Sequence, residues 1–231
     1  MGIFVPDPIR DDGQDRRPLL GILGGTFDPI HLGHLRLAEE AAEVLELDRV
    51  HFVPSAIPPH RPQPALSAEM RLDLVSRAIA DNPRFIPDDR ELRRAGSSFT
   101  IDTLQDFRRT HPSHHLVLLL GMDAFNGLMH WHRWQELLAW THIAVATRPG
   151  AQLGTQAGEL LNERASSLAQ LQATQAGGIR QIEITRLDIS ATAIRQALGL
   201  GHSVRYLVPE SLLKPLDRHY SAPRFGQCDD V

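Results

Sequence analysis

The chain has 231 residues, 42% hydrophobic and 23% charged, enough apolar material for one well-buried core and at most a small subdomain. A formal net charge of -4 argues against a dedicated nucleic-acid binder, whose affinity comes from Lys and Arg neutralising a phosphate backbone. The single cysteine, Cys228, excludes an internal disulfide and a cysteine metal cluster, and no run of about 18 apolar residues marks a membrane span or a secretory signal. These features fit a soluble cytoplasmic protein with no membrane or nucleic-acid partner.

In chain order, residues 1–17 read as a disordered leader, rich in Asp, Arg and Pro. One folded α/β unit is expected over 18–220 and a flexible tail over 221–231. Strands are predicted at 19–23, 50–53, 116–120, 143–146 and 182–184, and helices at 32–45, 68–80, 100–109 and 134–140. The first helix places Leu35, Leu37, Ala38, Ala41, Ala42 and Leu45 on a broad apolar side, with Glu39, Glu40, Glu43 and Glu46 toward water. The Gln- and Ala-rich stretch 152–176 fits a surface helix, a pair of helices or a partly loose segment. Short apolar runs alternating with helical periods are the pattern of an α/β fold, a doubly wound parallel sheet with helices on both faces.

Between the first strand and the first helix lies Gly24-Gly-Thr-Phe-Asp-Pro-Ile-His-Leu-Gly-His34. Gly24 and Gly25 let a ligand approach the backbone, and the helix's first N–H groups, with the positive end of its dipole, point at that space. A phosphate is expected there, held by Gly24, Gly25, Thr26 and Phe27. His31 and His34, three positions apart, share one helix face and would converge on one anion. Taken alone, the spacing also fits one histidine capping the helix and another in the core. Metalloprotease-type zinc needs i, i+4 histidines, and neither a G-x-G-x-x-G nor a Walker loop is present. Farther on, Ile189-Ser-Ala-Thr-Ala-Ile-Arg195 opens another helix, with Asp188 and Ser190 as N-cap candidates.

Every fixed position of G-x-F-D-P-x-H-x-G-H occurs from Gly25 to His34, so the first segment resembles the signature of a nucleotidyltransferase superfamily with a Rossmann-like fold. The second resembles that superfamily's I-S-[ST]-T-x-I-R, with Ala191 where a hydroxyl is commoner. The resemblance implies that Ile189, Ser190, Thr192 and Arg195 meet ATP phosphates. Three further segments, Val53-Pro-Ser-Ala-Ile-Pro-Pro-His-Arg61, Ser97-Ser-Phe-Thr-Ile-Asp-Thr-Leu104 and Gly121-Met-Asp123 with Trp131, resemble the bacterial nicotinate-nucleotide adenylyltransferases from about residue 20 to 215. That resemblance implies a stacking role for Trp131 on the pyridine ring and a carboxylate seat at the helix start near Thr100 and Thr103. It implies adenosine contacts for Gly121 and Asp123, and places His60, Arg61 and Arg148 near the mononucleotide. Read without it, Trp131 fits plain core, Asp123 a helix cap, and Arg148-Pro-Gly150 a turn.

The implied reaction is adenylyl transfer from ATP to nicotinate mononucleotide, giving nicotinate adenine dinucleotide and pyrophosphate in NAD biosynthesis. His31, His34 and Arg195 would be catalytic, and Mg²⁺ would arrive on ATP oxygens rather than on a resident metal site. Nicotinamide mononucleotide and phosphopantetheine remain alternative acceptors, and a non-catalytic ATP-binding sensor is the alternative of another class. A homodimer is compatible with the sequence.

Overall fold

A computed structural model describes residues 17–58, 63–147, 152–185 and 187–220. The chain runs β1 (Leu19–Gly25), α1 (Leu32–Val44), β2 (Leu47–Pro54), α2 (Ala68–Ala78), β3 (Phe85–Pro87), α3 (Thr100–Thr110) and β4 (His115–Gly121). It continues with α4 (Met122–Asn126), α5 (Trp134–Trp140), β5 (His142–Thr147), α6 (Thr155–Arg164), α7 (Leu168–Ala173), β6 (Ile179–Glu183), α8 (Ala191–Gly199) and α9 (Glu210–Tyr220). All pairings are parallel, in the order β3-β2-β1-β4-β5-β6, which is the expected doubly wound, Rossmann-like α/β sheet.

The continuous apolar strands follow from burial on both faces. Leu20, Ile22, Leu116, Leu118, Leu120, Ile143 and Val145 point to one layer, where α3, α5 and α6 cover them. Leu19, Leu23, Val117, Leu119, Ala144 and Ala146 point to the other, against α1, α2, α8 and α9. Ala38, Ala41 and Ala42 keep α1 close to the small residues of β5. Each fully buried Leu, Ile or Phe in these layers contributes roughly 1.5–3 kcal/mol. At the sheet centre β1 and β4 are neighbours, and crossovers leave them in opposite directions. Their carboxyl ends therefore open a crevice, the place where such sheets bind ligands.

Several expectations need correction. β3 was not predicted, because a strand of three residues that starts two positions after Pro83 and ends on Pro87 carries no readable period. α9 was not predicted either, since Pro215 in mid-helix removes an amide donor and reads as a breaker; burial of Leu212 and Leu216 outweighs it. The 152–176 stretch contains a pair of helices, α6 and α7. The acidic side of α1 does not simply face water. Glu40 is 8% exposed and accepts the Thr185 N–H at 2.6 Å, while Glu39 accepts from Asn82 and Arg84. Those carboxylates tie α1 to the segment after β6 on one side and to the segment before β3 on the other. Among the described residues no helix is long and apolar enough to cross a membrane. The leader up to residue 16 and the tail 221–231 lie outside the described residues.

Candidate active site

The turn after β1 gives its glycines different tasks. Gly24 is exposed and a side chain there would meet nothing within 4 Å, so the space above it is open to a ligand. A Cβ on Gly25 would press on the Phe27 ring at 3.1 Å. Phe27 itself sits at φ 50°, a left-handed conformation rare for a bulky side chain, with its ring edge-on to His34 at 5.1 Å.

His31 is the N-cap of α1, and its ring stacks on that of His34 at 3.7 Å. The His31 backbone N–H donates to His34 Nδ1 at 3.3 Å. An Nδ1 that accepts leaves the proton of a neutral imidazole on Nε2, so His34 is poised as a donor through Nε2. His31 is 7% exposed and His34 half-buried, so His34 is the more accessible of the two. One expectation shifts here. The Leu32 N–H donates to the Leu207 carbonyl at 3.0 Å and the His34 N–H to the His31 carbonyl at 2.9 Å. Those first-turn donors already have acceptors, so they are less open to an anion than the expectation required.

The second motif meets the first. Ser190 is the N-cap of α8, accepting the Ala193 N–H at 3.1 Å, so of the two cap candidates Ser190 takes the position and Asp188 does not. Ile189 lies beside Gly33, where an added Cβ would stand 3.8 Å from it. Arg195 Nη1 donates to the Asp28 carbonyl at 2.5 Å, and its Nη2 to the exposed Thr192 hydroxyl at 3.3 Å. A cation, a hydroxyl and two imidazoles thus gather at the carboxyl edge of β1.

Asp28 organises this corner without facing solvent. It is 5% exposed and accepts the Ala65 N–H at 2.8 Å, the Leu66 N–H at 3.3 Å and the Tyr220 hydroxyl at 2.7 Å. Burial and the adjacent Asp28 carboxylate push the Tyr220 phenol above its ordinary pKa, so it stays a donor.

At the start of α3, the Ser98 hydroxyl accepts the Ala56 N–H at 2.9 Å and the Ile57 N–H at 3.3 Å, clipping the loop after β2 to that helix. Phe99, not Thr100, is the N-cap of α3; Thr100 is its first helical residue. Thr103 is 3% exposed and donates to the buried Glu91 carboxylate at 2.6 Å, so it braces the helix start. Burial holds the Glu91 carboxyl above the usual range. Phe99 stacks on His132 at 4.2 Å, which brings the α3 start beside Trp131, a half-buried residue against the same apolar cluster. Gly121 ends β4 with open space beside it, and the exposed Asp123 follows in the first turn of α4, whose N-cap is Gly121 rather than Asp123. His60, Arg61 and Arg148 lie outside the described residues. Among the described residues no three His, Cys, Asp or Glu side chains are grouped as metal ligands.

Sequence reasoning missed Arg71, Ser98 and Tyr220. The signal for Arg71 is a charge on the apolar stripe of α2 with Leu74 and Val75; Tyr220 gives none.

The cytidylyltransferase-like family matches residues 22–197. A probable nicotinate-nucleotide adenylyltransferase of Halorhodospira halophila is 46% identical over 202 residues, covering 85% of this chain and 93% of that one. Another, of Pseudomonas syringae pv. tomato, is 48% identical over 209 residues, covering 88% and 94%. Among solved structures, the nicotinic acid mononucleotide adenylyltransferase of Plasmodium falciparum complexed with NaAD is similar at TM-score 0.68 and 14% identity, over 88% of this chain and 98% of that one, a likeness of fold.

Proposed function

The chain belongs to the nicotinate-nucleotide adenylyltransferases of the cytidylyltransferase-like family, enzymes that transfer the adenylyl group of ATP to nicotinate mononucleotide, and we propose that His31, His34 and Arg195 carry that transfer here. The 5′-phosphate oxygen of the mononucleotide attacks the α-phosphorus of ATP. A new O–P bond forms, the bond to the β-phosphate bridge breaks, and pyrophosphate leaves with the electron pair. The second pKa of a phosphate monoester is about 6, so the attacking oxygen is already ionised at neutral pH and needs no protein base.

The work left for the protein is alignment and charge stabilisation. His34, donating through Nε2, meets the α-phosphate as charge develops, and His31 neighbours the remaining phosphates. Arg195 supplies countercharge beside Thr192, and Gly24, Gly25, Thr26 and Phe27 shape the approach. Magnesium enters with ATP, held by its phosphate oxygens and water. Gly121 and Asp123 take the adenosine end, while Trp131 and the α3 start at Thr100 take the pyridine ring and its carboxylate.

The observation that carries this assignment is the Arg195 bond to the Asp28 carbonyl, which draws the Ser/Thr/Arg helix start to the histidine turn. Pyrophosphate release with Mg-ATP, run in parallel on nicotinate mononucleotide, nicotinamide mononucleotide and phosphopantetheine, tests it. Fastest turnover is expected with nicotinate mononucleotide; preference for either of the others would overturn the acceptor.

A further inference from the structure

Arg71 occupies a position that hydrophobic periodicity assigns to an apolar residue, and it is 1% exposed. Its guanidinium reaches three carbonyls on three separate segments. Nη1 donates to Thr26 O at 2.7 Å, Nη2 to Ala56 O at 3.3 Å and Nε to Leu66 O at 3.2 Å. These segments are the phosphate turn after β1, the loop after β2, and the lead into α2. Ala56 is held from its other side as well, because its N–H donates to the Ser98 hydroxyl at 2.9 Å. Arg71, Ala56 and Ser98 thus form one continuous link from Thr26 to the start of α3.

Stability alone gives a poor reason for this residue. Taking a guanidinium out of water is costly, and an apolar side chain of similar volume would fill the stripe without that cost. What an apolar side chain lacks is a rigid planar fork able to fix three backbone groups at set directions. In-line transfer is sensitive to such spacing, since reacting atoms must approach to about 3–3.5 Å and a misplacement of about 1 Å can cost about 10²-fold.

We propose that Arg71 is a positioning residue for adenylyl transfer, fixing the separation between the phosphate turn at Thr26 and the acceptor side at Ala56 and Ser98. The proposal rests on the function assigned above. Through this link the seats for the α-phosphate and for the attacking phosphate are set at one distance before either substrate binds.

The test is Arg71→Lys, which keeps the charge and loses the fork. Steady-state kinetics with ATP and nicotinate mononucleotide are expressed per folded molecule, with the folded fraction set by thermal melting. The expected result is a fall in kcat of about 10- to 10²-fold, with either KM changed less than about threefold. A lowered Tm with unchanged kcat per folded molecule would make Arg71 a purely structural residue and overturn the proposal. Should Arg71→Lys not fold, Ser98→Ala decides: a kcat fall of about 3- to 10-fold with the same split is expected, and unaltered kcat overturns the proposal. Wild-type enzyme that releases no pyrophosphate from this substrate pair overturns the assigned function itself. Active wild type with an equally fast Arg71→Lys variant overturns only the positioning role.

Discussion

The phosphate turn and the acceptor side are built to different standards. Around the turn, Asp28, Arg71 and His31 are buried, and hydrogen bonds arrive from α2, α8, α9 and the segment before α9. The start of α3 has one buried brace, Thr103 on Glu91, and is otherwise held by partly exposed groups, the Ser98 hydroxyl and the Phe99–His132 stack, around a half-buried Trp131. Transfer at phosphorus demands a fixed geometry, whereas a flat ring is bound well by aromatic faces that adjust to it. The difference teaches that this protein is most rigid at the turn to which the proposed chemistry is assigned.

The strongest way to break that comparison is His34→Ala. It should lower kcat by about 10²-fold or more, as loss of a preset oxyanion donor does, and a folded variant with near-normal turnover would remove His34 from the chemistry. Trp131→Ala sharpens it from the other side. Calorimetry should show mononucleotide binding weakened by about 1–3 kcal/mol, in the range of stacking on an aromatic side chain, with ATP binding nearly intact; equal loss for both ligands would contradict the assignment. Tyr220→Phe removes one hydrogen bond to a buried carboxylate that keeps two backbone donors. Urea unfolding should show about 1–2 kcal/mol less stability, and an unchanged midpoint would mean the Asp28 corner stands without α9.

The smallest effect is expected far from both regions, just before β4. His111 is pulled down to about 4 by burial first, then by the neighbouring His51, His114 and Arg90. Its folded pKa lies below the unfolded one, so the unfolded chain binds the proton more readily, and stability falls as pH drops from about 6.5 toward 4. Solvent screening limits the contribution to about 1 kcal/mol or less. Denaturation midpoints between about pH 7 and 5, before most carboxylates protonate, should fall less steeply in His111→Gln; parallel slopes would reject this origin.

Much of the fold was legible because the relevant signals are local. A long apolar run into Gly24-Gly25 announces β1 and its turn, and alternation of runs and periods announces a parallel sheet. β3 was not legible, being three residues that end on a proline, nor was α9, with Pro215 inside it. At the site, His31, His34, Ser190 and Arg195 stood in readable segments, and the structure brings those segments together. The bracing residues did not, because their partners are remote: Arg71 serves carbonyls on three segments, and the periodicity of α2 marks it only as an anomaly. The Thr103 bond to Glu91 was not legible, since a helix-start hydroxyl reads the same whether it faces a ligand or a buried carboxylate.

The bond from Tyr220 to Asp28 spans 192 positions of sequence. At a synthesis rate of about 5–20 residues per second, its two ends are made roughly 10 to 40 s apart. For that interval a chain still on the ribosome holds both histidines without the clasp that seats Asp28. Arg195, too, is made late in this window, 167 positions after Asp28, so under the proposed assignment the histidine turn is synthesised well before the cation that joins it.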